Sequence, residues 1–191
     1  MGGTFDPIHH GHLLTAEEAR WQFDLDEVVF IPTGSPWMKQ HEQVSPAEDR
    51  YLMVVIATSA NPRFSVSRIE IERRGPTFTV DTLRSLRALY GDEVELFFIT
   101  GADAMLEIFH WKDPQEVLEL AHVIAATRPG YDLAAFEAGA PTEHPNVTVM
   151  TIPALAISST DIRERAAKGR PIRYLVPDGV QTYLEKAGLY R

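Results

Sequence analysis

Short apolar segments alternate with amphipathic helical segments along almost the whole chain, and this alternation restricts the fold more than any other feature. Segments typical of strands lie at 27–31, 64–71, 94–100, 123–126 and 147–152. Segments typical of helices lie at 9–23, 46–59, 79–90, 114–120, 158–168 and from 177 onward. Because helices separate successive strands, the strands are expected to run parallel, with helices covering both faces. The sequence therefore predicts an α/β fold with a doubly wound, mostly parallel sheet.

The length and charge of the chain limit its organisation and its partners. A chain of 191 residues without a shift in composition predicts one domain over 1–191, with the C-terminal helices of 158–191 packed on it. The absence of cysteine excludes disulfides and thiolate metal sites. A formal net charge of −9 disfavours non-specific nucleic-acid binding, and no apolar run approaches the about 20 residues of a membrane span. We expect a cytoplasmic protein without nucleic-acid or membrane partners; the sequence does not indicate its oligomeric state.

The N-terminal segment carries the first candidate site. Residues 2–12 are Gly-Gly-Thr-Phe-Asp-Pro-Ile-His-His-Gly-His, directly before a predicted helix. Gly2 and Gly3 allow backbone amides to approach a phosphate closely. His9 and His12 lie three residues apart at the helix start, where N–H groups and the positive end of the helix dipole attract anions. This segment predicts a polyphosphate site.

A second polar segment precedes a helix near the C-terminus. Ser158, Ser159 and Thr160 supply hydroxyls for capping, and Arg163 offers a planar guanidinium that matches phosphate oxygens. In a doubly wound sheet the helix starts lie at the carboxyl edge of the strands, where ligands bind. We therefore expect residues from both ends of the chain to meet around one triphosphate.

Each motif also has an ordinary structural interpretation. A Gly-Gly pair is more often a turn, and Ser-Ser-Thr is more often a helix cap. His9, His10 and His12 could lie at the surface or form a histidine metal site. Their joint occurrence in strand–loop–helix contexts favours phosphate binding over these separate interpretations.

The two motifs together resemble the nucleotidylyltransferase superfamily, and more narrowly the bacterial nicotinate-nucleotide adenylyltransferases. They are Gly-Gly-Thr-Phe-Asp-Pro-x-His-x-Gly-His and the distant Ser-Ser-Thr-x-Ile-Arg. The resemblance covers the whole chain and implies a Rossmann-like fold. It implies transfer of the adenylyl group of ATP to nicotinate mononucleotide, giving deamido-NAD and pyrophosphate in NAD biosynthesis. The attack would be in line, without a covalent enzyme intermediate, and Mg²⁺ would bind mainly through ATP phosphates.

The resemblance also implies roles for individual residues. The catalytic residues would be His9, His12, Arg163 and Lys39. The ATP-binding residues would be Gly2, Gly3, Thr4, Phe5, Gly101, Asp103, Ile157, Ser158, Ser159 and Thr160. The nicotinate mononucleotide would contact Thr79, at a helix start, and Trp111, through ring stacking. No residue is implied as a dedicated metal ligand.

The sequence departs from the family pattern in two places. The segment at 32–39 is Pro-Thr-Gly-Ser-Pro-Trp-Met-Lys, whereas the family commonly has Pro-x-x-x-Pro-Pro-His-Lys, so Trp37 and Met38 replace proline and histidine before Lys39. The family also places a short apolar strand ahead of Gly-Gly, where this chain has only Met1. In the strand order 3-2-1-4-5-6 that strand lies in mid-sheet. We therefore expect the first strand to be missing, through truncation or a misplaced start.

Three other functions compete with this interpretation. The chain could be another nucleotidylyltransferase of the same motif, acting on pantetheine phosphate or transferring a cytidylyl group. It could be a non-catalytic nucleotide-binding protein, or a histidine-based metal-binding module. The segment from Thr77 to Leu83 and Trp111 favour a pyridine nucleotide, because both match the family's pyridine site.

Overall fold

The computed structural model describes residues 1–35, 44–127, 142, 144–153 and 155–191. The strands are β1 (Gly2–Gly3), β2 (Val28–Pro32), β3 (Phe64–Val66), β4 (Phe97–Gly101), β5 (His122–Thr127) and β6 (Val147–Thr151). The helices are α1 (His10–Gln22), α2 (Ala47–Thr58), α3 (Thr79–Tyr90), α4 (Ala102–Leu106), α5 (Pro114–Leu120), α6 (Ser159–Ala167) and α7 (Asp178–Ala187). A single 3-10 turn, Ile108–His110, follows α4.

All described strand pairs are parallel, and they form two halves that adjoin in the middle. One half has the order β1-β2-β3 and the other β4-β5-β6. The halves meet where β1 lies beside β4; a Cβ added at Gly2 would lie 3.2 Å from Cε2 of Phe98. The spatial order is therefore 3-2-1-4-5-6, and the predicted doubly wound parallel α/β fold is confirmed.

The first strand, which we expected to be missing, is a two-residue segment at the centre of this arrangement. Gly2 lies opposite Ile31, and Gly3 lies opposite Pro32. The backbone N–H of Ile31 donates to the carbonyl of Met1 at 2.9 Å, and that of Thr33 donates to Gly3 at 2.9 Å. These bonds hold Gly2 and Gly3 at the carboxyl end of β2, next to the first helix start.

Two apolar clusters cover the opposite sides of the sheet. One joins the N-terminal loop to the C-terminal helices, since Phe5 and Ile8 belong to the same cluster as Ile162 of α6 and Leu184 of α7. The other packs α3, α4 and α5 on the second half, through residues such as Val80 and Val117. The C-terminal helices therefore pack against the loop that carries the candidate phosphate site.

Two predicted strand boundaries are wrong, and hydrogen bonds outside the sheet explain them. β3 ends at Val66 rather than 71, because the N–H of Glu72 donates to Arg68 in a turn at 3.0 Å. β4 begins at Phe97 rather than 94, because the carbonyl of Val94 accepts from the guanidinium of Arg87 at 2.5 Å.

The residue types predict Ser45, Thr79 and either Ser158 or Ser159 as helix N-caps, and two of these three predictions are wrong. α3 is capped by Phe78 rather than Thr79, and α2 by Pro46 rather than Ser45. Ser158 is confirmed as the cap of α6, since its hydroxyl accepts from the N–H of Asp161. In the part of the chain that the structure describes, no helix is long and apolar enough to cross a membrane.

Candidate active site

A cavity of about 600 Å³ opens where the carboxyl ends of β1, β4 and β5 meet the N-terminal loop. It brings together most of the residues that the sequence predicted for the site. These are Gly2, Gly3, Thr4, Phe5, His9, His12, Thr79, Gly101, Asp103, Trp111 and Ile157. Residues from five regions of the chain therefore line one cavity, as the sequence predicted.

The most informative contact in the cavity is between two imidazoles. The His9 and His12 rings stack with centroids 3.7 Å apart and planes inclined by 21°. The backbone N–H of His9 donates to Nδ1 of His12 at 3.3 Å. Burial, followed by the neighbouring His9, lowers the pKa of His12 well below its ordinary value of 6.5. A neutral His12 that accepts at Nδ1 carries its proton on Nε2, so it can donate from that atom.

Gly11 makes this stacking possible. A Cβ at Gly11 would lie 3.0 Å from both Cε1 and Nδ1 of His9, which is so tight that the ring would have to shift by a few tenths of an ångström. The turn is held further because the Thr15 hydroxyl donates to the carbonyl of Gly11 at 2.9 Å. On the other side, the Phe5 ring meets His12 edge-on, with centroids 5.1 Å apart. The spacing His-x-Gly-His thus places both rings at the helix start, because glycine leaves room for the first ring.

A buried arginine fixes the loop that carries these residues. Arg50 of α2 is 1% exposed and donates to three backbone carbonyls: Thr4 at 2.8 Å, Ser45 at 3.0 Å and Gly34 at 3.1 Å. The sequence analysis missed Arg50. The available signal was its position, since Arg50, Met53 and Val54 have the spacing of a buried helical stripe.

Asp6 ties the same loop to two other parts of the chain. One carboxylate oxygen accepts from the backbone N–H of Ser45 at 3.1 Å, and the other accepts from the hydroxyl of Tyr190. Burial, and then the Asp6 carboxylate, raise the pKa of Tyr190. Asp6 is itself 4% exposed, so these bonds satisfy a charge that is removed from water.

The start of α6 lies beside the loop rather than on the cavity wall. The Ser159 hydroxyl donates to the carbonyl of Pro7 at 2.9 Å, and Nη1 of Arg163 donates to the carbonyl of Asp6 at 2.8 Å. Thr160 contacts Arg163 through its hydroxyl at 3.4 Å. Of this segment, Ile157 lines the cavity, whereas Ser158, Ser159, Thr160 and Arg163 do not. The two chain ends do meet, but the guanidinium is engaged by the main chain.

The opposite end of the cavity is aromatic. Trp111 packs edge-on against Phe98, with centroids 5.9 Å apart, and its Nε1 is buried without a hydrogen-bond partner among the described residues. Phe78 and Thr79, at the start of α3, line the same end. Gly101 is the N-cap of α4, and Asp103 lies in the first turn of that helix.

A buried carboxyl group also lines the cavity, and the sequence analysis missed it. Glu70 is 7% exposed, and it accepts from the Thr82 hydroxyl at 2.7 Å. Burial raises the pKa of Glu70, although the hydroxyls of Thr82 and Thr77 oppose the shift. Its backbone packs so closely on Gly34 that a Cβ there would lie 2.1 Å from the carbonyl oxygen of Glu70. No periodicity marked this residue as buried.

One further sequence prediction concerns a residue that the structure does not describe. Lys39, with Trp37 and Met38 before it, lies outside the described ranges. Among the residues that are described, no group of three or more histidine, aspartate or glutamate side chains could hold a metal ion.

Comparison with known proteins assigns the family. A family profile described as "Cytidylyltransferase-like" matches residues 1–165. A Streptomyces coelicolor protein is 62% identical over 191 residues, covering 100% of this chain and 99% of its own. A Salinispora arenicola protein is 60% identical over 191 residues, covering 100% of both chains. Both carry the name "Probable nicotinate-nucleotide adenylyltransferase".

The chain belongs to the nicotinate-nucleotide adenylyltransferase family, within the cytidylyltransferase-like group. The resemblance drawn from the two motifs is confirmed. Among solved structures, a Plasmodium falciparum nicotinic acid mononucleotide adenylyltransferase complexed with NaAD matches with a TM-score of 0.80 at 19% identity. The match covers 99% of this chain and 94% of that one. At this identity, the likeness shows that the two chains share a fold.

Proposed function

We propose that the protein transfers the adenylyl group of ATP to nicotinate mononucleotide, releasing pyrophosphate and deamido-NAD, as a cytoplasmic enzyme of NAD biosynthesis. The observation that carries this proposal is the stacked His9–His12 pair on a cavity that also contains the Gly2–Gly3 backbone and Trp111. A helix start suited to binding phosphate and an aromatic surface suited to a flat ring thus line the same cavity. The names of the relatives at 62% and 60% identity support the same activity.

The reaction requires one displacement at phosphorus. A phosphate oxygen of nicotinate mononucleotide attacks the α-phosphorus of ATP, a new P–O bond forms, and the bond to the bridging α–β oxygen breaks. The electron pair of that bond leaves with pyrophosphate, so no proton transfer to an enzyme base is needed. The protein contributes alignment and stabilisation of the charge that develops on the phosphate oxygens.

The histidines are suited to this role because they can donate to phosphate oxygens. His12, neutral and protonated on Nε2, offers a hydrogen bond without having to lose or gain a proton first. His9 is held against it by stacking and by the room at Gly11. We propose that both rings bind the α- and β-phosphates, with the amides of Gly2, Gly3, Thr4 and Phe5 beside them.

The remaining proposed contacts involve residues of the cavity wall and of the neighbouring start of α6. Gly101 and Asp103 would bind the ATP ribose, Trp111 would stack on the pyridine ring, and the amide end of α3 near Thr79 would accept its carboxylate. Ile157, Ser158, Ser159 and Thr160 would complete the ATP site from the start of α6. Arg163 would exchange its bond to Asp6 for a phosphate oxygen, and Lys39 is proposed as a second cation from its place in the sequence alone.

ATP is proposed to enter as its Mg²⁺ complex, so the cation is part of the substrate. Mg²⁺ keeps several waters and binds phosphate oxygens readily, so it does not require a carboxylate cage in the protein. We also propose that 1–191 acts as one domain. This is supported by Ile162 and Leu184, which pack in the same cluster as Phe5, and by the bonds from Ser159 and Tyr190 to the N-terminal loop.

Pyrophosphate release measures this proposal directly. The protein is given Mg·ATP or Mg·CTP with nicotinate mononucleotide, its amide or phosphopantetheine as acceptor. The proposal predicts the highest kcat/KM with ATP and nicotinate mononucleotide. Faster release with phosphopantetheine, or with CTP, would instead assign one of the other nucleotidylyltransferase activities. Nucleotide binding without any release would indicate a non-catalytic protein.

A further inference from the structure

One cation in the cavity is not used by the proposed reaction. Lys112 follows Trp111 directly and lines the pyridine end of the cavity. Its Nζ lies 5.2 Å from the centroid of the Phe78 ring, and Phe78 is the N-cap of α3. The ammonium is therefore next to both features that the proposed function assigns to the pyridine ring and its carboxylate.

Lys112 is held at this position by a shared carboxylate. Its Nζ donates to both oxygens of Asp81, at 3.1 and 3.0 Å. Asp81 also accepts from Nη1 of Arg84 at 2.9 Å. If Lys112 turns toward a second anion, Asp81 keeps the guanidinium as a partner. The long stem of a lysine allows such a change at little cost, because its ammonium is a point charge without fixed orientation.

We propose that Lys112 is a specificity-determining residue, whose ammonium favours a pyridine nucleotide with a negatively charged ring substituent over its neutral carboxamide. This inference rests on the proposed function, and it assigns part of the preference for the acid to one side chain. The ammonium attracts the carboxylate of nicotinate and gains nothing comparable from an uncharged amide. Asp81 lowers the preference for the acid, because its carboxylate partly neutralises Lys112 and repels the carboxylate of nicotinate.

The exposure of the pair sets the size of the effect. The Lys112 side chain is 42% exposed, and Asp81 is 28% exposed. Charge interactions at such positions change an equilibrium by up to about fivefold, and salt weakens them. We therefore expect Lys112 to tune the preference for the acid by a few-fold rather than to create it alone.

The test compares the acid-over-amide ratio of kcat/KM in the full chain, with Mg·ATP as co-substrate. The ratio should fall about fivefold in Lys112→Gln, and Lys112→Arg should retain most of it. Asp81→Asn should move the ratio the other way, because the ammonium then loses its internal partner. Lys186→Gln is the matched control, because Lys186 is an exposed residue of α7 outside the cavity. It should leave kcat/KM unchanged for both the acid and the amide. Raising the salt concentration should lower the ratio in the wild type and have little effect on it in Lys112→Gln.

An acid-over-amide ratio that stays the same or rises in Lys112→Gln would overturn the proposal. Titration calorimetry of each mononucleotide with the wild type and Lys112→Gln gives the same ratio from Kd, without turnover. If pyrophosphate release fails with every acceptor but the Kd ratio falls in Lys112→Gln, the proposed reaction is wrong and the role of Lys112 stands. If pyrophosphate is released but neither the kcat/KM ratio nor the Kd ratio changes in Lys112→Gln, the proposed reaction stands and the role of Lys112 is wrong.

Discussion

His12 lies against His9 ring on ring, with centroids 3.7 Å apart, and accepts the backbone N–H of the same residue at Nδ1. This hydrogen bond leaves Nε2 of His12 as the ring nitrogen that can donate. It is the reason why we propose that His12 acts as a neutral donor to a phosphate oxygen rather than as a general base.

Replacing His12 should abolish most of the activity without unfolding the protein. Losing one preorganised donor to a developing charge typically lowers kcat by about 10²–10³-fold. We expect His12→Ala to show a loss of this size in pyrophosphate release, with a circular dichroism spectrum like that of the wild type. His10→Ala is the matched control, since His10 does not line the cavity with His9 and His12. Equal activity of His12→Ala and His10→Ala would remove His12 from the mechanism.

Gly11→Ala should separate activity from stability. Alanine favours the helix by up to about 1 kcal/mol relative to glycine. The added Cβ, however, would lie 3.0 Å from the His9 ring, so the ring must shift by a few tenths of an ångström relative to His12. We expect kcat to fall at least tenfold, while the free energy of unfolding from urea titration stays within about 1 kcal/mol of the wild type. Full activity in Gly11→Ala would show that the position of the His9 ring does not matter.

The two histidines and the glycine between them were predictable from the sequence, whereas the buried residues Arg50 and Glu70 around the site were not. The motif identifies His9, Gly11 and His12, because they lie within four consecutive positions of the sequence. Arg50 lies 46 residues from Thr4, whose carbonyl it binds, so only the folded chain brings them together. Glu70 was read as part of a strand, and its burial depends on packing against Gly34, which no local pattern contains.

The parallel α/β fold was predictable because strands and helices alternate along the chain, whereas the order 3-2-1-4-5-6 was expected from the family resemblance. The first strand was expected to be missing, but Gly2 and Gly3 form β1, because they pair with Ile31 and Pro32 of β2. For Arg163, the position in the fold was predictable and the hydrogen-bond partner was not. Its motif places it near the phosphate loop, as found, but the carbonyl of Asp6 that it binds could not be inferred from spacing.

Arg50 should be the most costly arginine to replace. Arg50→Met leaves the carbonyls of Thr4, Ser45 and Gly34 without their donor in a buried place, at about 1–3 kcal/mol for each unsatisfied group. We expect a loss of about 3 kcal/mol or more in the free energy of unfolding from urea titration. Arg68→Gln is the control, because Arg68 forms exposed ion pairs with Glu48 and Glu72, which contribute at most about 1 kcal/mol. Similar losses in the two variants would refute the anchoring role of Arg50.

Glu70 should make stability depend on pH in a defined direction. Burial raises the pKa of Glu70 in the folded protein above 4.5, so the folded state binds more protons than the unfolded state just above pH 4.5. Its contribution to stability is therefore present below pH 4.5 and is lost as pH rises through the folded pKa. Glu70→Gln lacks this titration. We expect its free energy of unfolding, relative to the wild type, to increase between pH 4 and pH 7.5 in urea titrations. A difference that is constant or decreases with pH would contradict the raised pKa.

The central claim is that a phosphate oxygen of nicotinate mononucleotide attacks the α-phosphorus of Mg·ATP in this cavity. The most direct measurement uses nicotinate mononucleotide labelled with ¹⁸O in its phosphate, with the products identified by mass spectrometry. The claim predicts one dinucleotide, deamido-NAD, retaining all of the label, together with an equal amount of unlabelled pyrophosphate. Label in the pyrophosphate, or pyrophosphate release without formation of the dinucleotide, would contradict it.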